Sequence, residues 1–126
     1  MIRLGTTLRC NLPPRHVWIV LSDPAQTGGR ILLANLTTLT EDCVDDACIL
    51  GPADYPLLTH ATTVAYSRAQ TGTAAVLQEL VDDGDFRLIT PIPATTLAKI
   101  VKAARRTREL SDSQKQLLAP VPSEGD

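Results

Sequence analysis

The 126-residue chain is poor in aromatic side chains: Trp18, Tyr55, Tyr66 and Phe86 are all it has. A single-strand-binding surface built from stacked aromatics is thereby excluded, and the core must come from Leu, Val, Ile and Ala. No apolar run approaches the ~18–20 residues that cross a bilayer. The opening Met1-Ile2-Arg3-Leu4-Gly5 lacks the charged-then-apolar pattern of a signal peptide, so a soluble cytoplasmic protein with no membrane association is expected. Cysteine is scarce and odd in number, with Cys10, Cys43 and Cys48, which suits a reducing compartment better than a disulfide framework. Charge of either sign is nearly balanced at a net −2, which argues against whole-surface attraction to nucleic acid.

Hydrophobic residues make up 44% of the chain, enough for a packed core and too many for a disordered one. The first half reads as strands: Thr6–Leu12, Val17–Leu21, Ile31–Leu39, Ala47–Leu50 and Thr59–Tyr66 are β-branched or apolar runs bounded by Pro, Gly and Asp. Val17–Leu21 and Ile31–Leu39 are expected to form a hairpin across an Ala25–Gly29 turn, with Ser22–Arg30 as an unusually long loop. In the second half Ala74–Asp82 reads as a short helix and Phe86–Thr90 as a strand. Ala94–Leu110 reads as a helix with Leu97, Ile100, Val101 and Ala104 on one face. Ser111 and Gln114 have capping-box spacing and open a last short helix through Leu118. The expectation is one domain over residues 1–119 and a disordered tail over 120–126. Its fold is mainly β, a small SH3-like barrel closed by the amphipathic C-terminal helix.

Histidine is the residue type suited to both proton transfers of metal-free RNA cleavage, and the chain has only His16 and His60. His16 precedes the first hairpin strand and His60 begins the Thr-rich one, so both can reach one mouth of a small barrel. Arg15, Arg30 or Arg68 can supply a cation there, and Thr37, Thr38 or Thr62 can donate hydrogen bonds to phosphate. Each histidine also has a plainer reading as a turn residue bonded to backbone. Cys43 and Cys48 are spaced at the long end for a metal-ligand pair and no second pair follows, so no metal or other cofactor is expected. The acidic stretch Glu41, Asp42, Asp45, Asp46 and Asp54 would repel a phosphate backbone; it reads as a solvated loop or a face for a basic partner.

His16–Pro24, the Gly28-Gly29 turn and Ile31–Thr38 resemble the central hairpin of PemK/MazF/Kid-type growth-inhibitor toxins. There a strand ending in "VVLS" is followed by a loop and a strand ending near "VP-[IVL]-T-[ST]". Leu58–Tyr66 falls where those toxins carry "V-x-x-D-Q-x-x-[TS]-I", and Pro93–Leu110 is similar to their closing helix. The resemblance spans roughly residues 5–110. It implies a homodimeric SH3-like barrel acting as the toxin of a toxin–antitoxin system: a metal-independent endoribonuclease restrained by an antitoxin protein. A related branch poisons DNA gyrase without catalysis, so a non-catalytic barrel binding module, whether a gyrase-directed poison or an inactive relative, is the alternative. The chain departs from the pattern at Gly5-Thr6-Thr7-Leu8, where many members have Gly-Asp/Glu-Ile/Val-Trp. It departs again at Arg15-His16, in place of an Arg-rich loop, and at the "D-Q" strand, which has His60 and Thr62 and no acid. The candidate set is therefore His60, His16 and Arg15 for catalysis, and Thr62, Thr38, Thr37 and Arg68 for substrate.

The near-zero net charge is unevenly distributed. Residues 99–115 carry a net +4 and the remainder a net −6. Phosphate contact on the β portion is thereby left to a few local cations, and a charged protein partner gains weight.

Overall fold

The computed structural model describes residues 1–120. Six strands, β1 (Thr7–Cys10), β2 (Val17–Val20), β3 (Arg30–Thr38), β4 (Ile49–Leu50), β5 (Thr62–Thr73) and β6 (Phe86–Leu88), form one antiparallel sheet in the order β4-β5-β3-β2-β1-β6. Four helices accompany them: α1 (Pro24–Thr27), α2 (Ala74–Asp82), α3 (Ala94–Arg106) and α4 (Asp112–Lys115). The outer strands β4 and β6 do not pair with each other, so the sheet stays open where a closed barrel was expected. Both edges are very short, which limits unwanted strand addition without closure.

The continuous apolar runs of β2 and β3 follow from cover on both faces. On one face Ile19, Leu32, Ala34, Leu36, Val64 and Tyr66 pack under Ile100, Val101 and Ala104 of α3. On the other, Val20, Ile31 and Leu8 pack with Ile2 and with Leu77 of α2. The α3 stripe expected from helical spacing is thus the one buried, with Leu97 at its margin.

The structure departs from expectation where non-local contacts decide. The β2–β3 loop contains a helical turn, α1, because Asp23 accepts from the Ala25 N–H at 3.1 Å and Pro24 suits a first helical position. Gly28, at φ 68°, ends it in the left-handed conformation that glycine tolerates. β5 runs to Thr73, past the expected Tyr66. Asn35 pairs with Ala65 but Leu33 pairs with Gln70, so residues 66–69 bulge opposite Ala34. α3 ends at Arg106, not Leu110, because Thr107 turns extended. Arg108, which would have pointed along the buried stripe, is instead exposed. The Ser111–Gln114 capping box forms, but α4 stops at Lys115; Leu117 and Leu118 then join the core as non-helical chain. Arg105 donates to the Ala119 carbonyl at 2.6 Å and holds that segment. The acidic loop is not wholly solvated: Asp45 is buried, and its carboxylate accepts from the Ser67 N–H and hydroxyl. Cys48 is buried as expected, and Cys43 is half-buried. The expected tail lies, from residue 121 on, outside the described residues. No helix among the described residues is long and apolar enough to cross a membrane.

Tyr66 ties the two layers together. Its hydroxyl donates to the Ile100 carbonyl at 2.6 Å, and burial, reinforced by Cys48, pushes its pKa well up. Burial raises Tyr55 as well. A phenol raised in the folded state stays protonated there while the unfolded chain ionises above about pH 10. The unfolded state then binds fewer protons, so stability is full below that pH and falls as pH rises above it, by up to ~1.4 kcal/mol per pH unit for each phenol. Urea unfolding between pH 9 and 11.5 should show this decline, and Tyr66→Phe should make it shallower. Equal slopes would remove Tyr66 as its source.

Candidate active site

The sheet register builds the site. Arg9 of β1 lies opposite Val17 of β2, which lies opposite Leu36 of β3. Thr38, at the end of β3, lies opposite Thr62, at the start of β5. Because β2 and β3 are antiparallel, the β1–β2 connection that carries Arg15 and His16 comes to the same end of the sheet as Thr37 and Thr38. The 57–62 segment completes the wall.

These residues line a cavity of about 240 Å³. Leu36 of the main core, with Val17 and Leu58 packed against that core, forms its apolar floor. Arg9, Arg15, His16 and His60 stand around it with Thr37, Thr38, Thr59 and Thr62, and no Asp or Glu lines it. Of the seven residues expected from sequence, six meet here: His60, His16, Arg15, Thr37, Thr38 and Thr62. Arg68 does not. It sits in the β5 bulge and borders a neighbouring cavity, lined also by Thr37 and Thr38, with Asp42, Cys43 and Asp45, where acids would offset its charge. Arg30 begins β3 at the opposite end of the strand.

His60 is held on both ring nitrogens. Its Nε2 lies 3.0 Å from the Thr38 hydroxyl and its Nδ1 lies 3.1 Å from the Thr59 hydroxyl. A neutral imidazole donates to one hydroxyl and accepts from the other, and an imidazolium donates to both; a threonine hydroxyl accommodates either by rotation. His60 can therefore gain or lose a proton with its ring in place. Thr62 donates to the His60 carbonyl at 3.1 Å and fixes the backbone beneath it. His16 is half-buried; its N–H donates to Pro14 and its carbonyl accepts from Cys10, which sets the loop but leaves the ring to the cavity. Arg15 is exposed and Arg9 half-buried, and among the described residues neither forms an ion pair.

Arg9 was not among the expected site residues. Its signal was present: within β1 it shares a face with Thr7, which is buried, so a charge stood on an inward-facing position. Among the described residues no three His, Cys, Asp or Glu side chains are grouped to hold a metal ion.

Chains of the MazE–MazF crystal structures from Deinococcus radiodurans superpose on this architecture. Form I aligns at a TM-score of 0.52 and 15% identity, covering 83% of this chain and 93% of that one. Form II gives 0.52 and 14%, with 83% and 92% covered. Form III gives 0.51 and 14%, with 83% and 93% covered. The chain has a MazF-like fold. Identity this low establishes the fold alone, and no family model or curated protein matches the sequence. Within that MazF-like fold the hairpin resemblance falls on β2 and β3, and the closing helix on α3.

Proposed function

We propose that the protein is the toxin of a toxin–antitoxin pair and a metal-independent endoribonuclease acting in the cytoplasm as a homodimer. One observation carries this reading: within a MazF/PemK-like fold, a single cavity gathers two histidines, two arginines and four threonines with no carboxylate in its lining.

That set matches the demands of RNA cleavage. The ribose 2′-oxygen attacks phosphorus while its proton passes to Nε2 of His60, which the Thr38 hydroxyl gives up as it turns to the phosphate, with Nδ1–H donating to Thr59. The new O2′–P bond forms as the P–O5′ bond breaks, and His16 protonates the departing 5′-oxygen. Arg15 and Arg9 carry the added negative charge of the phosphorane, with Thr37 and Thr38 donating to its oxygens. The products are a 2′,3′-cyclic phosphate and a 5′-hydroxyl. The missing acid of the "D-Q" strand is replaced in role by His60, which suits proton transfer near neutral pH better than an ordinary carboxylate. Solved structures of like fold include MazE–MazF crystals, which supports an antitoxin protein as the partner that restrains this chain.

Purified protein should cut single-stranded RNA into discrete fragments in the presence of EDTA. RNA left whole across a panel of sequences would overturn the enzymatic reading and leave the non-catalytic binding module.

A further inference from the structure

Beside the candidate active site lies a second cavity lined by Arg9, Asn11, Arg15 and Arg87 alone. Arg9 and Arg15 line both cavities, so the two adjoin. Arg9 and Arg87 are direct cross-strand partners in the β1–β6 ladder. Like charges directly opposite one another destabilise a sheet, and among the described residues no ion pair relieves either arginine. The turn that carries Asp83 and Asp85 adjoins this patch, yet neither carboxylate lines the cavity. Asn11 ties the end of β1 to the turn before β6. The Asn11 side chain donates to the Gly84 carbonyl at 2.6 Å, and its N–H donates to the Asp85 carbonyl at 2.9 Å. Three arginines therefore line one cavity on a chain whose portion outside residues 99–115 carries a net −6. Half of the six cations of that portion meet at this one place.

We infer that Arg87, with Arg9, Arg15 and Asn11, forms a second phosphate subsite. It takes the phosphate next to the scissile one, so that the RNA strand crosses the β1–β6 edge on its way to His60. This rests on the proposed RNA substrate. An anion between Arg9 and Arg87 removes their repulsion, and guanidinium forks suit phosphate oxygens. The subsite reads backbone and not base, so it adds affinity and register without sequence preference.

The test is binding of a non-cleavable 2′-O-methyl RNA oligonucleotide by wild type and Arg87→Ala across a salt series. Arg87→Ala should bind roughly three- to tenfold more weakly at 0.1 M salt, with the slope of log K against log salt reduced by about 1. Without RNA, its melting temperature should equal or exceed that of wild type, since a repulsion has been removed; a structural arginine would give a loss. Unchanged affinity and slope, with wild-type binding and cleavage intact, would overturn the subsite and leave the ribonuclease reading standing. Absence of RNA binding by wild type would overturn both.

Discussion

His60→Ala should lower RNA cleavage by at least about 100-fold while leaving the melting temperature within a degree or two of wild type. The size follows from the role. A positioned general base or acid contributes about 10²–10⁴ in rate, and His60 is the one histidine of the cavity whose two ring nitrogens are both fixed. The small effect on stability follows from exposure: the side chain and its two hydroxyl partners are at the surface, so truncation opens no cavity in the core. The pair of readouts separates catalysis from folding. Loss of cleavage together with a large drop in melting temperature would make His60 structural. Cleavage equal to wild type would remove it from the mechanism.

Ile100→Ala should be among the most damaging truncations of the core, costing about 2–5 kcal/mol. Ile100 is fully buried at the junction of α3 with the sheet, and its carbonyl accepts the Tyr66 hydroxyl. Its removal leaves a void between two layers that share one core cluster, and collapse there would pull α3 away from that hydrogen bond. For a domain of this size the melting temperature should fall by at least about 6 °C. Val76→Ala serves as the contrast, since Val76 is 54% exposed and its truncation should change stability by no more than about 0.5 kcal/mol. The core cluster includes Leu36 and, packed against it, Val17 and Leu58, which floor the cavity. Loosening at Ile100 should therefore also reduce RNA cleavage. A change of under 1 kcal/mol on Ile100→Ala would contradict the packing described.

Local pattern was enough to find most of the candidate site. His16, Thr37 and Thr38 flank a hairpin whose antiparallel register is set by its own apolar runs, so their convergence follows once β2 and β3 pair. His60 and Thr62 join them because β5 pairs with β3 at Thr38. What was hidden depends on contacts far apart in sequence. Arg9 and Arg87 meet only through the β1–β6 ladder, which spans most of the chain. Arg68 lies apart from the histidines because β5 carries a bulge that no local motif announces, and it lines a cavity with Asp42 and Asp45. Asp45 read as a solvated acid because its partner, Ser67, lies 22 residues away. Of the helix ends, α3 did carry a warning, in that Arg108 fell on the apolar stripe and the helix stops before it. Closure of the sheet is a property of its edges. β4 and β6 are too short for alternation to reveal whether they meet.

The most direct test of the site as a whole is the chemistry it leaves on RNA. Mass spectrometry of fragments from an EDTA-treated digest reads the end of each upstream piece. Attack by the 2′-oxygen, with His60 as base, leaves 2′,3′-cyclic phosphates and 5′-hydroxyls on the two sides of every cut, and a 2′-deoxy nucleotide at the cut position abolishes cleavage there. Upstream ends that are 3′-hydroxyl, with 5′-phosphate downstream, would show that water and not the 2′-oxygen is the nucleophile, and would contradict the mechanism assigned to this cavity.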